Sequence, residues 1–170
     1  PTDLRVNILK TSRDKALAAL REEGVAAEPT PWSPWGLRLT ARANLPGLKI
    51  FRDGAIEIQD EGSQLACLLA AVMPGEQVVD LCAGGGGKSL ALAAMMGNRG
   101  QIHACATAPR RLGQLLPRAQ RAGIRNLQTC VLGAYAPAGH APDLAGLVDI
   151  ASSELFHATS SGPRHWRRLH

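Results

Sequence analysis

From Leu4 to Leu9 apolar and polar positions alternate, with Leu4, Val6 and Ile8 on one face and Arg5 and Asn7 on the other. A period of two predicts a half-buried strand. Ser12 or Asp14 then caps a predicted helix through Ala16, Leu17, Ala19 and Leu20 that stops at Gly24, and Val25 to Ala27 forms a second short extended piece. The run Pro29-Thr30-Pro31-Trp32-Ser33-Pro34-Trp35-Gly36 is excluded from helix, because its three prolines lack amide donors and fix the backbone. Gly36 to Leu39 resumes a strand. Residues 1–48 are therefore expected to form a small α+β unit.

Residues 49–170 read differently. Ala55 to Gln59 is a predicted strand, Asp60 or Ser63 a helix cap, and Gln64 to Met73 a strongly apolar helix stopped by Pro74-Gly75. From Gln77 the order becomes strand Val78–Leu81, glycine loop, helix Ser89–Met96, strand Gln101–Cys105, helix Arg110–Ala122 and strand Leu127–Val131. A further strand, Leu147–Ile150, follows a connection rich in Pro, Gly and Ala. Strands alternating with helices at this spacing predict βαβ units and a parallel sheet covered on both faces. The pattern supplies about half of a doubly wound sheet.

Composition narrows the class. With 170 residues, 45% of them hydrophobic, the chain has enough apolar material for a sizeable core. The formal charge of +5 is compatible with a polyanionic partner but does not demand one. The cysteines, Cys67, Cys82, Cys105 and Cys130, form no close pair in sequence, so neither a zinc knuckle nor a disulfide framework is expected, and a reducing cytoplasm is the natural location. No apolar run reaches the length of a membrane span, and four of the five histidines follow Gly139 without ligand spacing, so neither membrane nor metal is expected. The first residue, Pro1, suggests a piece of something longer.

The chemistry concentrates in Val78-Val79-Asp80-Leu81-Cys82-Ala83-Gly84-Gly85-Gly86-Gly87-Lys88-Ser89. A strand running through a glycine-rich turn into a helix lets backbone N–H groups approach a ligand closely. A phosphate loop needs Gly, any four residues, then Gly-Lys-Ser; Gly87-Lys88-Ser89 supply the tail, but Cys82 occupies the leading position. A dinucleotide fingerprint beginning at Gly84 would place Ser89 at its third glycine and lacks the later acid. The remaining class, an acid followed by spaced glycines as in S-adenosylmethionine-dependent methyltransferases, is satisfied by Asp80, Gly84 and Gly86. Asp80 would order the turn or approach the methionine ammonium.

The stretch Asp80 to Ser89 resembles the Asp-x-Cys-Ala-Ala-Pro-Gly-Gly-Lys-Thr signature of the RsmB/NOP/Sun family of RNA (cytosine-5) methyltransferases, differing at Gly84, Gly85 and Ser89. Leu4-Arg5-Val6-Asn7 resembles the Arg-x-Asn element of the family's N-terminal RNA-binding region, and Gln59-Asp60-Glu61-Gly62-Ser63 resembles its Gln-Asp-x-x-Ser element. The resemblance implies an incomplete class I, Rossmann-like α/β methyltransferase sheet preceded by the α+β unit. It implies S-adenosylmethionine as cofactor, held by Cys82, Ala83, Gly84, Gly85, Gly86, Gly87, Lys88 and Asp149, and RNA, ribosomal RNA being expected, as partner. In this family a cysteine thiolate adds to C6 of cytosine so that C5 becomes nucleophilic, an acid supports N3, and a second cysteine assists elimination. The base must be unstacked to be reached.

The chain departs from the family pattern at four places. Ala106 stands where an acid for the cofactor ribose is expected, an omission worth about 1.5 to 3 kcal/mol of affinity. No acid is evident in Leu132-Gly133-Ala134-Tyr135, where the family contacts adenine. Asp149 matches the acid of the Asp-Ala-Pro-Cys element, but Ile150-Ala151-Ser152 lacks its Pro and Cys, and Trp166-Arg167-Arg168 resembles a triplet that follows that element in relatives. The chain is therefore expected to be truncated or degenerate after about residue 150, with the nucleophile beyond His170.

Among other candidates, Cys82 lies inside the cofactor loop, whereas Cys67, Cys105 and Cys130 fall in apolar patterns. Lys88 is expected to face the cofactor carboxylate. Arg110 and Arg111, with Arg118, Arg121 and Arg125, form either an RNA-facing stripe or a solvated helix face. Trp32 and Trp35, between prolines, either stack on bases or pin their loop to the core, and the second is expected.

Overall fold

The computed structural model describes residues 1–132 and the backbone of the short strand 150–152. The chain begins with strand β1 (Asp3–Val6) and helix α1 (Arg13–Glu22), whose N-cap is Ser12, its hydroxyl accepting the Lys15 amide at 3.4 Å. Gly24, in the left-handed region at φ +75°, turns the chain out of the helix. Strands β2 (Ala27–Pro29) and β3 (Gly36–Leu39), the short helix α2 (Lys49–Arg52) and strand β4 (Ile56–Ile58) complete the first unit.

The first sheet is antiparallel in the order β2-β3-β1-β4. One of its faces carries Leu4, Val6, Leu37, Leu39 and Ile56, which pack with Ala16 and Leu20 of α1 and with Ile50 of α2. β4 pairs with β1 through Leu4↔Ile58, Arg5↔Glu57 and Val6↔Ile56. The first sheet therefore runs ten residues past the expected boundary at residue 48. The reason is local: α2 tucks Ile50 and Phe51 into the first core and returns the chain to the free edge of β1. Trp35 also packs against this core, as expected, whereas Trp32 does not; its side chain is 74% exposed.

Helix α3 (Glu61–Ala70) starts three residues before the expected Gln64, because Asp60 is its cap and accepts the Ser63 amide at 2.9 Å. It ends at Ala71, left-handed at φ +48°, short of Pro74. The second sheet is parallel, in the order β7-β6-β5-β8, from β5 (Gln77–Asp80), β6 (Gln101–Ala106), β7 (Leu127–Val131) and β8 (Ile150–Ser152). The expected strand Leu147–Ile150 overlaps β8 only at Ile150, its other residues lying outside the described residues. Helix α4 (Gly87–Met95) connects β5 to β6 and is buried nearly all round from Ser89 to Ala94. Helix α5 (Pro109–Ala122) connects β6 to β7 and buries only Leu112, Leu115, Ala119 and Ala122, a single face at helical spacing. β5 is flanked by β6 on one side and β8 on the other, so the strand order reverses beside the end of β5, where open α/β sheets bind ligands.

The second face of the first sheet is polar and also buried. Arg5 and Glu57 are register partners and share that face, and Asn7 and Gln59 lie two residues farther along their segments. Arg5, Asn7 and Glu57 are 2%, 1% and 2% exposed. Arg5 Nε donates to Gln59 Oε1 at 2.6 Å, and Asn7 Nδ2 donates to the carbonyls of Gly54 (2.9 Å) and Ala122 (2.8 Å). Lys10 Nζ bonds the carbonyls of Asp53 at 2.5 Å and Arg121 at 2.6 Å. The two units are thus joined across α5 by hydrogen bonds and ion pairs. Ile8, expected on the apolar face, lies beyond the end of β1 and is exposed.

Candidate functional site

Asp80, at the carboxyl end of β5, is fully buried. Its Oδ1 accepts the Cys82 amide at 3.2 Å and its Oδ2 accepts the Ser89 hydroxyl at 2.7 Å. Of the two roles open to this acid, these bonds support ordering the turn: the carboxylate ties the entrance of the loop to the first turn of α4. Between these ties, the Ala83 amide bonds the Cys105 carbonyl of β6 at 2.9 Å and the Gly86 amide bonds the Ala83 carbonyl at 2.7 Å. Gly86 adopts φ +85°, and a Cβ there would lie 2.0 Å from Leu115 Cδ1, so the position requires glycine for both backbone and packing reasons. Gly84 is also left-handed, at φ +52°, but faces open space, with Cys82 O the nearest neighbour at 3.9 Å.

The first intrahelical bond of α4 runs from Leu90 N to Gly86 O at 2.9 Å. The amides of Gly87, Lys88 and Ser89 precede it and form the positive end of the helix, suited to a carboxylate. Beside them lies Gln59, whose Nε2 is 3.8 Å from where a Gly87 Cβ would be. This nitrogen is buried and turned toward the buried Cys67 sulfur, to which it donates weakly. The open space at Gly84 and the first-turn amides that precede the first intrahelical bond fit a ligand acceptor at the mouth of the loop. Gln59, Ser89 and Arg118 also lie at this site. In the sequence Gln59 belonged to the Gln-Asp-x-x-Ser resemblance, Ser89 to the loop signature and Arg118 to the arginine stripe, and none of the three was expected to hold the loop.

The loop residues Cys82, Ala83, Gly84, Gly85, Gly86, Gly87 and Lys88 are contiguous at the end of β5. Cys82 is exposed on the loop, and Lys88 is half-buried in the first turn. Ala106 ends β6 with its carbonyl accepting the Leu132 amide at 2.9 Å. Asp149, Gly133, Ala134, Tyr135 and Trp166-Arg167-Arg168 lie outside the described residues.

The Arg5 and Asn7 side chains, which the resemblance implies for RNA, are buried, Asn7 against the Ala122 carbonyl of α5. Burial lowers the Arg5 pKa, opposed by the neighbouring Glu57 carboxylate. Arg110 and Arg111 are exposed near the start of α5, but the proposed arginine stripe is broken: Arg118 and Arg121 turn inward to Glu57. Burial pushes the Cys67 thiol to about 11, and burial together with adjacent Cys130 pushes Cys105 to about 12. Neither is a thiolate at neutral pH. Among the described residues no cluster of three or more His, Cys, Asp and Glu is placed to hold a metal, and no helix is long and apolar enough to cross a membrane.

Comparison with known proteins agrees with this geometry. Residues 1–45 match the family profile of the ferredoxin-like domain of RsmF/B-like methyltransferases, and residues 66–142 match that of 16S rRNA methyltransferase RsmB/F. A probable ribosomal RNA small subunit methyltransferase B from Synechocystis sp. is 35% identical over 130 residues, covering 74% of this chain and 28% of the relative. The Pseudomonas putida ribosomal RNA small subunit methyltransferase B is 39% identical over 89 residues, covering 52% of this chain and 20% of the relative. A crystal structure of a methyltransferase homologue from Pyrococcus horikoshii superposes with a TM-score of 0.73 at 30% identity, over 79% of this chain and 44% of that one. The chain thus spans less than half the length of each. Both of its units are matched in order by profiles of one family, on a partial Rossmann-like sheet carrying that family's loop, and the chain belongs to the RsmB/NOP/Sun family of methyltransferases.

Proposed function

We propose that this chain binds S-adenosylmethionine at the loop from Cys82 to Lys88 and serves methylation of cytosine C5 in RNA, specifically ribosomal RNA in the cytoplasm. The observation that carries the reading is the loop itself: a glycine turn pinned by Asp80 and Ser89 at the strand-order reversal, open at Gly84 and ending in first-turn amides that precede the first intrahelical bond. Bound there, the cofactor supplies an electrophilic methyl group. The first-turn amides and Lys88 would hold its carboxylate, and Asp80 would keep the loop in shape. Arg110 and Arg111 remain available for RNA, and Asp149 is retained as the proposed acid toward the base.

A second reading, a module that binds RNA and cofactor without turnover, is favoured by Ala106 at the ribose position and by the burial of Cys67 and Cys105. Titration calorimetry of the chain with S-adenosylmethionine tests cofactor binding. Gly84→Asp is the control, since Asp tolerates the left-handed region and the space there is open, so the fold survives while a carboxylate blocks the loop. Binding lost in the control supports the site; no binding by the folded wild-type chain removes it. Ala106→Asp is expected to tighten binding roughly tenfold by restoring a hydroxyl acceptor. Formation of 5-methylcytosine in ribosomal RNA by this chain would eliminate the second reading.

A further inference from the structure

Glu57 stands in the first sheet, yet its carboxylate is the anchor of a contact that ends in the loop. Arg118 of α5 donates to Glu57 Oε2 through Nε at 3.2 Å and Nη2 at 2.9 Å, leaving Nη1 to donate to the Gly85 carbonyl. Gly85 O and Gly86 N belong to one planar peptide unit, and Gly86 N is held by Ala83 O at 2.7 Å. Both polar ends of that peptide are therefore fixed, one from within the loop and one from the first unit through Arg118. The peptide cannot rotate without breaking a hydrogen bond to a charged donor. The first-turn amides that follow inherit its orientation.

Resting on the proposed cofactor reading, we infer that Glu57 and Arg118 are positioning residues, through which the docked N-terminal sheet sets the geometry of the cofactor loop. Arg121 provides the internal comparison. It lies one turn along the same helix, pairs with the other oxygen of the same carboxylate and stacks 4.2 Å over the Phe51 ring. Its side chain has no contact with the loop among the bonds that define it. A general stabilising role would make the two arginines equivalent; a positioning role separates them.

The test uses the full chain with Arg118→Met and Arg121→Met, measuring thermal midpoint, amide hydrogen exchange of the loop without cofactor, and S-adenosylmethionine affinity. Both variants are expected to lower the midpoint. Only Arg118→Met is expected to accelerate exchange at Gly86 and in the first turn of α4, and to weaken cofactor binding about tenfold. Equal effects of the two variants on loop exchange, or no effect of Arg118→Met, would overturn the inference. If the wild-type chain binds no cofactor, the functional reading fails, and the exchange comparison still decides the positioning role. Should Arg118→Met not fold, Arg118→Lys carries the test, since one ammonium can keep Glu57 company but cannot also copy the guanidinium fork to Gly85.

Discussion

The two faces of the first sheet are both buried, and by different physics. On one face Leu4, Val6, Leu37 and Ile56 are held by area removed from water, a non-directional force that tolerates small displacements. On the other, Arg5, Asn7, Glu57 and Gln59 are held by hydrogen bonds and ion pairs that tolerate almost none. The apolar face builds the unit. The polar face sets where that unit sits against α5 and the glycine loop, a matter of specificity more than of gross stability.

Substitutions on the two faces put that contrast to the test. The largest effect is expected from Glu57→Ala, which strands Arg118 and Arg121 beside a buried site and should cost about 3 to 5 kcal/mol of unfolding free energy by denaturant titration. A triple variant that also carries Arg118→Met and Arg121→Met should cost less than the sum of its parts; strict additivity would mean that the pairs are not coupled. Leu4→Ala on the apolar face should cost about 3 kcal/mol, the combined loss of transfer energy and cavity formation. Asn7→Ala follows at about 2 kcal/mol, because the Gly54 and Ala122 carbonyls lose their shared donor. At the small end, Ile8→Thr should change stability by about 0.5 kcal/mol or less, since Ile8 is exposed despite its place in the alternating pattern. A large loss there would restore the pattern's assignment of Ile8 to the core.

Acid adds a weaker probe of the polar contacts at the rim of this sheet. Asp3 is held below its usual carboxylate value chiefly by the hydrogen bond from Arg38, against the opposing effect of burial. Burial raises Glu61, but the amides of Ser33 and Trp32 and the charge of Arg38 outweigh it, leaving its pKa lowered. A folded pKa below the unfolded one means that the stabilisation is present above the unfolded values, 3.8 for Asp3 and 4.5 for Glu61, and is lost as pH falls through the lower folded values. Glu61→Gln should flatten the acid limb of stability measured by urea titration from pH 5 to pH 2; an unchanged limb would assign the acid sensitivity elsewhere.

Much of this was legible in the chain because it is local. Glycine punctuation and the switch from period two to period 3.6 located the helices and strands among the described residues except α2 and the 3-10 turn Leu45–Gly47; Leu127–Val131 and Gly36–Leu39 match their expected bounds, whereas Val25–Ala27 and Leu147–Ile150 meet β2 and β8 at one residue each. The three-residue error at the start of α3 came from choosing its cap, since Asp60 and Ser63 each satisfy a capping rule and only the folded chain shows which oxygen meets which amide. The glycine loop was legible for the same reason: Asp80, the glycines and Lys88 lie within one short stretch whose backbone demands are written in residue types.

Residue types and their spacing were enough for most strands and helices, the parallel second sheet and the loop, because propensity, periodicity and turn chemistry act between residues close in the chain. Only the tertiary structure decided that β4 joins the first sheet, that Arg5 and Asn7 face the second unit, and that Arg118 reaches from Glu57 to Gly85. An alternating strand shows a polar face but not what will cover it. Glu57 and Arg118 are 61 residues apart, and pairing over that distance is settled by how the two sheets dock, a relation that no local window contains.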